Sequence, residues 1–125
     1  MASQHVPDLQ PAEAWAKLQE EQYTFLDVRT KEEFSHGHVP PHKGSTVCIP
    51  VKVKDGEGSM VENHHFIADV QNTFPDKDAP IMVGCKSGAR STHALHLLQA
   101  AGYTHLVHQC MGWNGWEAAG LPKAT

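Results

Sequence analysis

The sequence predicts an α/β domain in which parallel strands are joined by crossover helices. Short apolar runs of the kind that form buried strands recur along the chain, and stretches with helical periodicity lie between them. Capping and turn residues mark most of the boundaries between the two patterns. With 125 residues and no internal repeat, the chain is predicted to form one domain over residues 1–125.

The first predicted elements are a helix and a strand. Residues 10–22 form the helix, because Pro11 suits a first helical position and Trp15 and Leu18 lie about one turn apart. The apolar run at residues 24–28 is the strand that follows.

A short second helix is predicted after Thr30, whose side chain and that of Glu33 form a capping box. Gly37 ends this helix. The β-rich run at residues 46–51 is the next strand, and the segment KVKDGEGSM behind it is predicted to be a loop because it is polar and contains glycine.

The second half of the chain repeats the alternation. Residues 63–74 carry their large apolar side chains on one helical face, with Asn63 as the cap, and the run at 81–84 is a buried type of strand. Residues 90–102 form a helix with its apolar side chains inward and Gly102 past its end. The last predicted elements are a strand at residues 105–109 and a short helix that Gly120 and Pro122 end.

Composition excludes several function classes. The apolar fraction of 40% and charged fraction of 19% are ordinary for a globular domain, and the net charge of −4 argues against nucleic acid or an anionic membrane as partner. No apolar run approaches the roughly 18 residues that a membrane span needs, and the N-terminus lacks the pattern of a secretory signal. Three scattered cysteines without a CxxC motif indicate a reducing compartment rather than a disulfide framework.

The candidate site is the loop that follows the strand at residues 81–84. It consists of Cys85, Lys86, Ser87, Gly88, Ala89 and Arg90. Ligands of open α/β sheets lie beyond the carboxyl ends of the strands, which is where this loop is predicted. A glycine loop can turn its backbone amides inward as an anion-binding nest, and the next helix points its positive end at the same place.

The two charged side chains of this loop add to that field. Lys86 and Arg90 lie close to Cys85 in sequence, so the field favours thiolate, the nucleophilic form, over thiol. Cys85 is therefore the predicted nucleophile. The competing interpretation is a buried cysteine at a strand end, with Gly88 serving only as a turn.

Three motifs together resemble one protein family. They are CKSGARS at the candidate nucleophile, FLDVRTKEEFSHGHVP upstream and MGWNGWEAAGLP downstream. In this order they are similar to the single-domain rhodaneses, which are sulfurtransferases, and to their small plant and algal members in particular. The similarity spans roughly residues 6–122.

The resemblance implies a five-stranded, mostly parallel sheet with helices on both faces. It also implies that Cys85 takes a sulfane sulfur from a small anionic donor such as thiosulfate, holds it as a persulfide and passes it to an acceptor. The acceptor would be cyanide or a thiol, including a protein thiol such as thioredoxin. No cofactor, metal, nucleic acid or membrane is implied, and the predicted location is the cytoplasm or the plastid stroma.

The same resemblance assigns two residues outside the loop. Asp27 would help to hold the neighbouring loops. A purely structural hydrogen-bonding role for Asp27 is as well supported as a direct catalytic one. Arg29 would face the donor anion, against the alternative of a salt bridge with Glu32 or Glu33. A preformed thiolate needs no general base, so no histidine is assigned to Cys85 despite the ten in the chain.

The sequence departs from the family pattern at three places. Thiosulfate-using members often have a basic residue two positions after the nucleophile, where this chain has Ser87, and its basic residue is Lys86. The segment GHVPPHKGSTVCIP is longer and more polar than usual, and Met111 replaces a glycine of the downstream motif. These changes bear on the donor and acceptor rather than on the nucleophile.

Two other functions stay open. Phosphatases and arsenate reductases of related fold use C-x5-R, whereas Cys85 and Arg90 form C-x4-R and Ser91 occupies the sixth position. The shorter loop suits one sulfur atom better than a tetrahedral oxyanion. The second alternative is a non-catalytic or persulfide-relay module in protein interaction or stress sensing, which the presence of the nucleophile disfavours.

The remaining cysteines and the histidines are predicted to have no catalytic role. Cys48 and Cys110 lie in strand-like apolar contexts typical of small core residues. The histidine groups lack a carboxylate or cysteine at ligand-like spacing, so we expect surface side chains and no metal site. These groups are His36 with His38 and His42, His64 with His65, and His93 with His96.

Overall fold

The structure is a computed structural model that describes residues 5–125. Its strands are β1 (Asp8–Leu9), β2 (Thr24–Asp27), β3 (Thr46–Cys48), β4 (Lys52–Lys54), β5 (Met60–Glu62), β6 (Ile81–Gly84) and β7 (Leu106–Gln109). Its helices are α1 (Pro11–Glu20), α2 (Lys31–His36), α3 (Phe66–Thr73), α4 (Ala89–Ala100) and α5 (Gly112–Ala118).

Five strands form the main sheet in the order β1-β7-β6-β2-β3. Every neighbouring pair in this sheet is parallel, which confirms the predicted α/β class and the five-stranded sheet. The four strands predicted from apolar runs are all present, and β6 has the predicted bounds. Among the described residues, no helix is both long enough and apolar enough to cross a membrane.

Two hydrophobic layers cover the sheet. Side chains of β2 and β6 alternate between them: Phe25 and its register partner Met82 enter one layer, and Leu26 and Val83 enter the other. Buried residues of α1 and α5 complete the first layer, and those of α3 and α4 complete the second. Helices therefore lie on both faces, as the resemblance implied.

The segment predicted as a loop after β3 is instead a hairpin. β4 and β5 pair antiparallel, with Val53 opposite Val61. The Asp55 carboxylate closes the turn by accepting the amides of Glu57 and Ser59 at 2.8 and 2.9 Å. The loop prediction was wrong because each strand is only three residues long and carries charged side chains, which hides the alternation.

Two other boundaries differ from the predictions. β1 was not predicted, because two residues at a sheet edge carry no periodic signal. The third helix begins at Phe66 rather than at Asn63. Asn63 forms a turn before the helix, in which its side-chain oxygen accepts the amide of His65 at 3.0 Å and its side-chain nitrogen donates to Pro50.

Candidate active site

Cys85 follows β6, a central strand that lies between β7 and β2. Its residue is only 3% exposed, so the thiol lies within the protein at the carboxyl edge of the sheet. The main chain of the strand fixes the backbone position of the cysteine, and the polar loop begins directly behind it. This is the position at which α/β sheets present their reactive groups.

The loop turns back so that a backbone amide meets the sulfur. The N–H of Gly88 donates to Cys85 Sγ at 3.0 Å, and Gly88 adopts a φ of +107° that favours glycine. A Cβ at this residue would lie 2.6 Å from the carbonyl oxygen of Cys110. Because α4 begins at the next residue, its positive end adjoins the same sulfur atom.

The start of α5 supports the loop from behind. The amide of Trp113 donates to the carbonyl of Cys85 at 2.7 Å, and that of Asn114 donates to Lys86 at 3.0 Å. Gly112 makes this approach possible, since a Cβ there would lie 2.4 Å from the carbonyl carbon and oxygen of Lys86. The buried Gln109 amide then fixes the turn through hydrogen bonds to the main chain of Gly112 and Met111.

Arg90 at the end of the loop is held by Glu33. The guanidinium donates to both carboxylate oxygens at 2.7 and 2.9 Å, while Glu33 also completes the predicted capping box with Thr30. Hydrogen bonds from Arg90 lower the pKa of Glu33 to about 2, against the opposing effect of burial. The pKa of Arg90 is raised chiefly by its hydrogen bonds to Glu33, against the opposing effect of burial.

Arg29 is buried and pairs with Asp27. Their side chains form a two-pronged contact, with distances of 2.7 to 3.1 Å, and Arg29 also donates to the carbonyl of Gly37 at 2.7 Å. The guanidinium lies 5.0 Å from the ring centre of Trp113. The alternative salt bridge with Glu32 or Glu33 was wrong, because Asp27 is closer along the chain and equally buried. A contact between Arg29 and substrate stays a prediction.

The remaining loop residues face solvent. Lys86, Ser87 and Ala89 are exposed, and Lys86 with Arg90 lines a cleft of about 660 Å³. The other cleft residues come from the start of α2 and from the β4–β5 hairpin. They are Thr30, Lys31, Glu32, Glu33, Pro50, Lys52, Val53, Lys54 and Met60. The cleft lining combines lysines with Glu32 and Glu33, so substrate binding by Lys86 and Arg90 stays a prediction.

Sequence reasoning assigned no role to three residues that form a line of contacts from Cys85. Ser91 Oγ lies 3.2 Å from Cys85 Sγ and 2.6 Å from His108 Nε2, and His108 Nδ1 lies 3.0 Å from an Asp8 carboxylate oxygen. Burial lowers the pKa of His108, while the hydrogen bond to Asp8 opposes this effect. The only available signal was that the strand containing His108 ends at the same edge of the sheet as Cys85.

Burial favours the thiol form of the other two cysteines. Burial raises the pKa of Cys48 to about 12, and the nearby Asp27 charge contributes. Burial also raises the pKa of Cys110. Within residues 5–125, no group of three or more histidine, cysteine or acidic side chains is arranged to hold a metal ion.

Comparison with known proteins agrees with this architecture. The rhodanese-like domain family matches residues 10–119 of the chain, so the protein belongs to that family and the resemblance seen in its motifs is confirmed. Among its relatives, thiosulfate sulfurtransferase 16, chloroplastic, of Arabidopsis thaliana is 37% identical over 100 residues, which cover 80% of this chain and 78% of the relative.

A second relative is longer than this chain. The senescence-associated protein DIN1 of Raphanus sativus is 35% identical over 121 residues, and the match covers 97% of this chain but 63% of DIN1. Among solved structures, a thiosulfate sulfurtransferase from Pseudomonas aeruginosa superposes with a TM-score of 0.73 at 22% identity. That match covers 96% of this chain and 20% of the other, and it shows the shared fold.

Proposed function

We propose that the protein is a sulfurtransferase that carries a sulfane sulfur as a persulfide on Cys85. The observation that carries the proposal is the 3.0 Å hydrogen bond from the Gly88 amide to the Cys85 sulfur, at the end of a central strand and beside the start of α4. Donors fixed around a sulfur atom stabilise its anion in the resting enzyme and in the persulfide alike. The relatives named as thiosulfate sulfurtransferases support this activity.

The first half of the reaction loads the enzyme. The Cys85 thiolate attacks the outer sulfur of a donor such as thiosulfate, the sulfur–sulfur bond of the donor breaks, and sulfite leaves with the electron pair. The enzyme then carries a cysteine persulfide whose terminal sulfur is anionic. The Gly88 amide donates to Sγ, the inner sulfur of that persulfide, and the positive end of α4 adjoins the site of the charge.

The second half returns the enzyme to its starting state. A nucleophilic acceptor attacks the terminal sulfur, and the bond between this sulfur and Cys85 Sγ breaks, with the electron pair returning to Cys85. Cyanide would give thiocyanate, whereas a thiol acceptor, including a protein thiol such as thioredoxin, would leave as a persulfide. The Lys86 side of the cleft supplies the positive charge that would attract an anionic donor.

The proposed cellular compartment rests on the names of the relatives. Two of them are named as chloroplastic, which supports a plastid location for this chain, with the cytoplasm as the alternative.

Intact mass spectrometry tests the proposal directly. After incubation with thiosulfate, the parent protein should gain one sulfur atom, and Cys85→Ser should gain none while keeping the parent's fold. Cys48→Ser is the matched control, since Cys48 is also buried but its thiol is held in the protonated form, and it should load as the parent does. Loading of Cys85→Ser to the parent's extent would overturn the assignment.

The same experiment separates the alternatives. A non-catalytic module would gain no sulfur at all. A C-x5-R loop of a phosphatase has its arginine at the position of Ser91. Ser91 is fully buried and hydrogen-bonded to Cys85 Sγ, so this position offers no cation that could bind a phosphate group. Hydrolysis of a small aryl phosphate by the parent, lost in Cys85→Ser, would instead favour the phosphatase.

A further inference from the structure

A line of hydrogen-bonded side chains runs from the buried sulfur to the surface. It passes from Cys85 to Ser91, then to His108 and finally to Asp8. We infer that Ser91, His108 and Asp8 form a proton relay that deprotonates Cys85. This inference rests on the proposed function, for which it supplies the route by which the nucleophile loses its proton.

The three residues of the proposed relay lie on three different secondary-structure elements. Ser91 lies in the first turn of α4, and His108 lies on β7, the strand beside β6. Asp8 on β1 is the register partner of His108, so the sheet itself places the carboxylate beside the imidazole. The contacts therefore depend on rigid elements rather than on mobile loops.

Donor and acceptor roles can be assigned along the line from the hydrogen-bond distances. With the Nδ1–H of a neutral His108 donating to Asp8 at 3.0 Å, Nε2 is an acceptor. The Ser91 hydroxyl has one proton, and its contact with His108 Nε2, at 2.6 Å, is shorter than its contact with the Gly88 carbonyl, at 3.1 Å. Ser91 Oγ can then accept the proton of the Cys85 thiol, 3.2 Å away.

Burial explains why a relay is needed. Cys85 is 3% exposed and Ser91 is fully buried, so the thiol proton has little direct access to water. The Asp8 side chain, in contrast, is 66% exposed. His108 and Asp8 line a depression of about 450 Å³, into which a proton can be released.

The proposed step balances in protons and electrons. The Cys85 proton passes to Ser91 Oγ while the Ser91 proton passes to His108 Nε2, which leaves a thiolate, an intact hydroxyl and an imidazolium beside the Asp8 carboxylate. No oxidation occurs. When a thiol acceptor brings a new proton to Cys85 at the end of a turnover, the same line removes it to solvent.

The charges around His108 suit this role. Burial lowers the pKa of His108 and keeps the imidazole neutral near pH 7, while Asp8 stabilises the imidazolium once it forms. His5, before β1, and His96, on α4, are the other titratable groups lining the depression. Ser91 contacts the reacting sulfur, so it is a catalytic residue in this scheme, and His108 and Asp8 are positioning residues that act through it.

The test is the pH dependence of Cys85 alkylation by iodoacetamide, followed by peptide mass spectrometry so that the other cysteines do not interfere. In His108→Gln the profile should move to higher pH by about one unit, which is a tenfold slower reaction near pH 7. His96→Gln is the matched control, because His96 is exposed in the same depression, and its profile should coincide with that of the parent.

A second variant, at an exposed side chain, keeps the relay testable if His108→Gln does not fold. Asp8→Asn changes an exposed side chain and should shift the profile in the same direction by a smaller amount, since the imidazolium loses its counter-ion. Incubating the same proteins with thiosulfate, and measuring the sulfur gained by mass, distinguishes failure of the proposed function from failure of the relay. A parent that gains no sulfur overturns the proposed function, whereas a parent that loads while both variants alkylate with its own profile overturns the relay.

Discussion

Replacing Gly112 by alanine should displace the nucleophile loop and destabilise the fold. Gly112 adopts a φ of +64°, and a Cβ at this residue would lie 2.4 Å from the carbonyl of Lys86 and 2.8 Å from that of Cys85. Both carbonyls accept amides at the start of α5, so they cannot move away without weakening those hydrogen bonds.

The chain provides a matched control in Gly120. Its φ of +69° is nearly the same, but nothing lies within 4 Å of a Cβ built there. Gly120→Ala therefore measures the backbone strain alone, about 1–2 kcal/mol. Gly112→Ala adds an overpacking cost of about 1–3 kcal/mol, so we expect a total of about 3–4 kcal/mol.

Urea unfolding followed by tryptophan fluorescence gives both free energies of unfolding. The difference between the two variants, about 2 kcal/mol, is the cost of the clash. Thiosulfate loading should also be slower in Gly112→Ala and unchanged in Gly120→Ala. Equal destabilisation by the two substitutions would mean that α5 does not hold the loop in place, and the account of the downstream motif would be wrong.

Three further predictions concern charged side chains. Because folding lowers the pKa of Glu33 from 4.5 to about 2, the protein should keep this stability above pH 4.5 and lose it as the pH falls towards 2. The pair with Arg90 is partly exposed, so we expect about 1 kcal/mol, absent in Glu33→Gln, when unfolding is measured against pH. Asp27→Asn leaves Arg29 buried without its counter-ion and should cost about 3–5 kcal/mol in urea unfolding, a result that a change under 1 kcal/mol would contradict. Lys86→Gln, at an exposed position, should keep the urea midpoint but lower kcat/KM for thiosulfate several-fold at low salt, with the difference shrinking as salt is added.

The sequence was sufficient where local pattern decides structure. The strand at residues 81–84 was predicted to the residue, because three large apolar side chains and Gly84 lie between Pro80 and a polar loop. The capping box of Thr30 and Glu33 was also predicted correctly, since it depends on residues three apart. The strand prediction placed Cys85 directly after β6 and ahead of α4, where the structure has it.

The sequence was insufficient where distant residues meet. Asp8 and His108 are one hundred residues apart, and only the strand order places β1 beside β7. A two-residue strand has no periodicity to reveal this pairing. Arg29 shows a different limit: Glu32 and Glu33 were considered as its partners, but the direction of its side chain, which sequence spacing does not give, brings it to Asp27, two residues back.

Cys85 and Cys48 are both buried, so burial alone does not distinguish the proposed nucleophile from a core cysteine. Both residues are under 10% exposed, at 3% and 8%. The sulfur of Cys48 donates to the carbonyl of Arg29 at 3.4 Å, a contact that requires the thiol proton, and burial raises its pKa to about 12. The sulfur of Cys85 instead accepts the Gly88 amide, a contact that strengthens when the proton leaves. The chemical type of the nearest partner, an amide or a carbonyl, therefore separates the proposed nucleophile from a core cysteine within one sheet.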